Sequence, residues 1–256
     1  MTEEFTDRAL PPDLEDSLPP TLSGTFDTVR LGVKRSSEIY IQLCTLLERL
    51  GKRNEGLAAD SQRFSLALTS LTENSLDTYA MDTNDVPLLN DGIQATAKHL
   101  ATSQALLEDE AKAWDQGVLE DLKKQRDGLV GMRDLFERRD RLARDNIPQL
   151  ERRIEGAEQK LQALRGKPVG AVKPGEMERL EEAIIADKES IVRQHARGVL
   201  IRECVRDEIR YFGGGSVWAL GRLLQDWSGE RVKFAELQAS CWRGWQEEVE
   251  NMPVGE

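Results

Sequence analysis

Between Val86 and Leu164 the chain repeats apolar or small residues at alternating steps of three and four. The series runs Leu89, Ile93, Thr96, Leu100, Ser103, Leu107, Ala111, Trp114, Val118, Leu122, Gln125, Leu129, Met132 and Phe136. It resumes through Ala143, Ile147, Leu150, Ile154, Ala157, Leu161 and Leu164. This spacing keeps one stripe of a helix turned to a single side. At 1.5 Å per residue such a helix would reach roughly 115 Å, against a usual length of about three turns. A stripe that long must lie on other long helices to leave water. Pro148 falls inside the run; it removes one backbone donor and crowds the preceding turn, so a kinked rod is expected there.

The same beat organises the rest of the chain into an all-α fold of three long antiparallel, kinked helices. Helix one is expected over about 25–72, with Tyr40, Leu43, Leu47, Leu50, Leu57, Phe64, Leu68 and Leu71 on the beat despite Gly51 and Gly56. A connector follows, in which Asp82, Thr83, Asn84 and Asp85 offer turn and capping chemistry ahead of Pro87. Helix two is expected over about 87–165. Two prolines and three glycines between Gly166 and Gly175 make 166–175 a hairpin tip loop. Helix three is expected over about 176–250, with a break at Gly213-Gly214-Gly215-Ser216, a bent or disordered joint, native or engineered. Residues 1–24 form an acidic, proline-rich linker. Leu22, Phe26, Val29 and Val33 recur on one side of the segment Leu22 to Ser37, which reads equally as an interfacial amphipathic helix or as the start of helix one.

Composition narrows the function classes. The net charge is −11, 32% of residues are charged and aromatics make up 5%, as suits a narrow helical core with much wet surface. An acidic total argues against nucleic acid as a partner. No run approaches the ~18 apolar residues of a membrane span. Cys44, Cys204 and Cys241 share no metal or redox spacing and read as reduced core thiols in a cytosolic setting. His99 and His195 have neither ligand spacing nor a nucleophile nearby in sequence, and the glycine triplet lacks the ending of a phosphate loop. No catalytic, metal or cofactor constellation is visible, so no enzyme is expected.

Thin rods leave apolar area uncovered, which a symmetric dimer would bury as a six-helix bundle. The expected dimer interface is Leu43, Leu47, Phe64, Leu68, Leu100, Leu107, Trp114, Trp227, Phe234 and Trp245. Charge is segregated as well: between Arg133 and Lys173 eleven bases face seven acids in an otherwise acidic chain. Bases here and across the hairpin are candidates for contact with an anionic phospholipid membrane: Arg138, Arg139, Arg141, Arg144, Arg152, Arg153, Lys160, Arg165, Lys167, Lys173, Arg193 and Arg197. The alternative is a solvated face laced with ion pairs, or a basic arm that binds protein, including further copies up to a tetramer.

Whole phrases carry a resemblance. Tyr79-Ala-Met-Asp-Thr-Asn-Asp-Val-Pro-Leu-Leu89, Leu107-Glu-Asp-Glu-Ala-Lys-Ala-Trp114, Arg144-Asp-Asn-Ile-Pro-Gln-Leu-Glu-Arg-Arg153 and Lys188-Glu-Ser-Ile-Val-Arg-Gln-His-Ala-Arg197 resemble the C-terminal BAR domain of fungal PX-BAR sorting nexins. The likeness is to the type named for multicopy suppression of vacuolar protein sorting defects, related to animal sorting nexin eight, and covers about residues 25–252. It implies a crescent-shaped dimer that senses or remodels membrane curvature, peripheral on endosomal membranes from the cytoplasm, with tubule formation and cargo retrieval. It also implies a PX domain for phosphatidylinositol 3-phosphate, absent from this chain, and a dynamin-like GTPase as a partner. Basic residues on the concave face and tips of such dimers match the distal arm in location.

Overall fold

The computed structural model describes Phe5 and residues 8–80, 84–167, 173 and 175–253. Among the described residues there are helices and no strands. A single turn, α1 (Leu14–Ser17), precedes α2 (Leu22–Thr78), α3 (Val86–Trp114), α4 (Glu120–Leu142), α5 (Ile147–Arg165) and α6 (Glu176–Val249), with a π-helical stretch, Asp115–Leu119, joining α3 to α4. Helix α2 starts near the expected place and runs six residues past residue 72. Asp85 takes the N-cap position of α3 without a side-chain capping bond, and Pro87 lies in the first turn. Asp82 and Thr83 fall outside the described residues, as do 168–172 and 174 of the expected tip loop and most of 1–7.

Three features of the expected helix pattern are corrected. First, Pro148 does not kink a continuous rod. Helix α4 ends at Leu142 and α5 begins at Ile147, with Asn146 at the N-cap and Pro148 in the first turn, where a missing N–H costs nothing. The backbone stays satisfied across the gap: Asn146 N–H donates to Gln194 Oε1 at 3.0 Å and Ile147 N–H to Asp145 Oδ1 at 3.3 Å. Second, the π-helical stretch was not anticipated. Widening the turn lets the consecutive residues Val118 and Leu119 both be buried. Third, α6 runs unbroken through Gly213 to Ser216. A Cβ at any of the three glycines would meet nothing within 4 Å. Buried Val205 and Leu223 anchor α6 on either side, and Ser216 Oγ donates to Gln125 Oε1 at 2.8 Å, so packing outweighs the poor propensity.

The chain divides into two compact units. The first comprises Met1–Lys34 and Leu129–Gly213. Here Leu22, Phe26 and Val33 are buried and Val29 is half-buried, with the Phe26 and Phe136 rings edge-on at 6.5 Å. These residues therefore begin the first long helix and face the chain's own core, rather than forming an open apolar face. The α5–α6 hairpin is held by Ile154, Leu161 and Ile184, with Ala157, Met177, Leu180 and Ile191 packed against them. The second unit comprises Arg35–Gly128 and Gly214–Glu256. Its core is Cys44, Leu47, Trp114, Val118, Leu119, Leu122 and Leu223, flanked by Tyr40 and Trp227.

Candidate functional site

Twelve bases were candidates for an anionic surface, and the first unit sorts them into two sets. Five are engaged or half-buried. Arg139 lies 4.7 Å from the Phe26 ring centroid, half-buried, and reaches Asp140 at 3.9 Å. Arg153 grips Asp187 with two nitrogens, one of them 2.6 Å from Oδ2. Arg165 pairs with Glu181 at 2.7 Å and Arg193 with Glu189 at 3.6 Å. Arg197 is half-buried, with its Nε lacking a hydrogen-bond partner. The other seven, Arg138, Arg141, Arg144, Arg152, Lys160, Lys167 and Lys173, are exposed and form no ion pair among the described residues.

Local sequence explains the division. Asp187 is 7% exposed on α6, opposite Arg153 on α5, and the Arg153 guanidinium holds its carboxyl below the usual range. Lys188 reaches back to Glu158 at 2.9 Å. The hairpin is thus cross-linked by charge alongside its apolar seam. At the start of the chain, α1 seats on α6 through Glu15, whose carboxylate lies 2.8 Å from His195 Nε2 and 3.6 Å from Arg202 Nη2. These contacts, His195 first, lower the Glu15 carboxyl.

The second unit carries a different surface. Of the ten expected interface residues, Leu47 and Trp114 are buried in the chain's own core. Leu68, Leu100, Leu107, Trp227, Phe234 and Trp245 are half-buried, and Leu43 and Phe64 are exposed. The reason lies in α2, which carries two stripes rather than one. Beyond Arg35 the inward stripe is mostly narrow or polar: Cys44, Ala58 and Ser75 are buried with Leu47, while Gly51, Asn54, Ser61, Ser65 and Thr72 are half-buried along with Leu68. The outward stripe is large: Leu43, Leu50, Leu57, Phe64 and Leu71 recur every seven residues and are 40%, 43%, 55%, 58% and 43% exposed. A seven-residue apolar repeat facing outward is the pattern of a helix that packs on another helix. Leu46 joins it at 53% exposure. The signal for the second stripe was present in the sequence, as the strict spacing of Leu43, Leu50, Leu57, Phe64 and Leu71.

Polar groups inside this unit are structural. Glu110, 6% exposed, accepts from Asn54 Nδ2 at 3.3 Å and pairs with Arg231, which also lies 5.1 Å from the Trp114 ring centroid. His99 stacks on Trp245 with centroids 5.0 Å apart, and its Nδ1 lies 3.2 Å from the Cys241 sulfur. That pair is not an activated nucleophile, because burial pushes the Cys241 thiol up and keeps it protonated at neutral pH. Burial does the same to Cys44. Among the described residues no group of histidine, cysteine or carboxylate side chains is placed to hold a metal, and no helix is long and apolar enough to cross a membrane.

Comparison with known proteins places this geometry. A family model described as the sorting nexin 8/Mvp1 BAR domain matches residues 1–256. A sorting nexin mvp1 from Aspergillus oryzae is 70% identical over 254 residues, covering 99% of this chain and 35% of that protein. The Neurospora crassa sorting nexin mvp1 is 61% identical over 256 residues, covering 100% of this chain and 32% of that protein. Among solved structures, the cryo-EM structure of the SNX-BAR Mvp1 tetramer aligns with TM-score 0.78 at 25% identity, covering 94% of this chain and 64% of that one. The chain spans about a third of the length of these two curated relatives.

Proposed function

The chain belongs to the sorting nexin 8/Mvp1 BAR domain family, a family of helical scaffolds rather than enzymes, and from that premise we propose that it is a self-associating, membrane-binding module. In the longer protein it serves a sorting nexin on the cytoplasmic side of endosomal membranes, supporting tubule formation and cargo retrieval. Phosphatidylinositol 3-phosphate is reached through a PX domain elsewhere in that protein, and a dynamin-like GTPase is a scission partner. The observation that carries the reading is the outward heptad stripe of α2, Leu43 to Leu71, whose occupant is a second copy of this chain. The tetramer of its structural relative supports self-association. Sedimentation equilibrium tests this. The wild-type chain is expected to sediment as a dimer or tetramer at micromolar concentration, and Leu50→Asp with Leu57→Asp as a monomer with unchanged helical content. A double variant that stays associated overturns the stripe as the interface.

The membrane half rests on the seven exposed, unpaired bases of the first unit. Reversing Arg138, Arg141, Arg144 and Arg152 to Glu is expected to lower partitioning onto phosphatidylserine vesicles in about 0.1 M salt by more than about tenfold, at ~1 kcal/mol per base near the surface. Unchanged partitioning assigns these residues to solvent. A second reading, a basic surface that binds acidic protein segments, is favoured by Glu15 seated on His195 and Arg202. It predicts that assembly weakens in high salt, which light scattering across salt concentration reads directly.

A further inference from the structure

The bases of the hairpin are not spread evenly. Where α5 ends and α6 begins, Lys160, Lys167, Lys173 and Arg179 line one cleft of about 600 Å³. Leu164 and Leu180 supply an apolar wall, both half-buried, and Glu176 is the one acid among the described lining residues. None of the four bases makes an ion pair or hydrogen bond within the described residues. Their neighbours on the same two helices do: Arg153 with Asp187, Arg165 with Glu181, Lys188 with Glu158. Three carboxylates of this hairpin, Asp187, Glu181 and Glu158, are thus already paired, while four cations converge on a concavity with Glu176 as the one acid among its described lining residues. Bases that merely skim a membrane have no need of a cleft; Arg138, Arg141 and Arg152 are exposed outside this one. A volume of this size suits a small-molecule ligand, and one phosphate would leave most of the positive charge unmatched.

We propose that this cleft binds a polyol carrying two or more phosphates, of the phosphorylated-inositol class, held by Lys160, Lys167, Lys173 and Arg179. The ligand chemistry is shared by a phosphoinositide headgroup in a membrane and by a soluble inositol phosphate. Only the first source rests on the membrane-binding reading above. The planar guanidinium of Arg179 offers a two-pronged grip on one phosphate, while the lysines act as mobile point charges on the others. The half-buried leucines exclude water from one side of the ring and strengthen each contact.

The test uses the whole chain with two substitution sets. Lys160→Ala, Lys167→Ala and Arg179→Ala remove three of the cleft's four cations; Arg138→Ala, Arg141→Ala and Arg152→Ala remove the same charge elsewhere. All six residues are exposed, and matched melting temperatures verify folding. Calorimetric titration with inositol trisphosphate is expected to show binding that the first set weakens by about tenfold or more and the second by no more than about twofold. Equal losses in both sets, or no binding of the wild-type chain, overturn the proposal. Vesicle flotation then separates the sources. A preference for phosphatidylinositol bisphosphate over charge-matched phosphatidylserine, abolished by the first set, assigns the site to the headgroup. Titration binding without that preference supports the cleft with a soluble ligand. Failure to float on any anionic vesicle while trisphosphate still binds sinks the membrane reading and leaves the cleft standing.

Discussion

Asp187 shows how far one side chain departs from what its neighbours in sequence suggest. It is buried on α6, and the guanidinium of Arg153 keeps its carboxyl below the ordinary range. A carboxyl depressed by folding stabilises the fold above its unfolded pKa, and that contribution is lost as pH falls through the folded value. Asp187→Asn is therefore expected to lower the urea midpoint at neutral pH, with the gap from wild type closing as acid protonates Asp187. A gap constant across that range assigns the loss to packing alone. In the second unit, Glu110→Ala strips Asn54 and Arg231 of a shared acceptor. Denaturant unfolding is expected to show a loss of about 1–2 kcal/mol, since half-exposed Arg231 can turn to water. Neither partnership was legible beforehand. Arg153 reads in sequence as one more base of a charged arm, and nothing local marks an acid 34 positions later as its partner. Seven of the twelve candidate bases are left without an ion pair among the described residues because no carboxylate is brought to them, which is a property of the packed hairpin.

The helices themselves were legible because their stripes are long. What the stripe hides is any interruption that preserves phase. Four residues out of helix between Leu142 and Ile147 leave the apolar beat intact, so Pro148 read as a kink rather than as a first-turn residue. Asn146, two positions ahead of the proline, was the available sign of a helix start. The π-helical stretch hides similarly: Trp114, Val118 and Leu122 keep the beat, and only the burial of Leu119 betrays the wider turn. At Gly213 to Gly215 propensity argued for a break and the flanking packing won. Because those positions are helical and open, Gly213→Ala, Gly214→Ala and Gly215→Ala should each stabilise the chain by about 0.5–1 kcal/mol. A raised melting temperature, roughly additive across the three, is the expected readout; destabilisation means that the native state departs from helix there.

At the scale of the molecule, a charge of −11 coexists with exposed bases gathered on the first unit. Against an anionic membrane the total repels and the local surface attracts, and the two fade over different ranges. At about 0.01 M salt the screening length is ~30 Å and the whole chain's repulsion is felt; at about 1 M it is ~3 Å and the attraction is lost. Binding to phosphatidylserine vesicles should therefore pass through a maximum at intermediate ionic strength. A steady rise down to the lowest salt would show that the acidic remainder is not felt at the surface. Family and fold were readable from sequence, because phrases and stripes survive without coordinates. The two stripes of α2 were merged into one, because periodicity alone does not say which of two adjacent apolar rows faces inward.

That division of α2 inverts the ordinary rule for tolerance of change. In most proteins, trimming a large leucine is the damaging substitution and enlarging a small residue on a helix is a minor one. Between Gly51 and Ser75 the inner row is mostly narrow, with Ala58 and Ser75 fully enclosed, and Leu57, Phe64 and Leu71 stand outside. Ala58→Leu should force the neighbouring helices apart at a cost of about 1–3 kcal/mol, whereas Leu57→Ala in a lone chain should fall within about 0.5 kcal/mol of neutral. Substitutions one position apart would thus report on different levels of organisation, the inner on whether a chain folds and the outer on whether chains find each other.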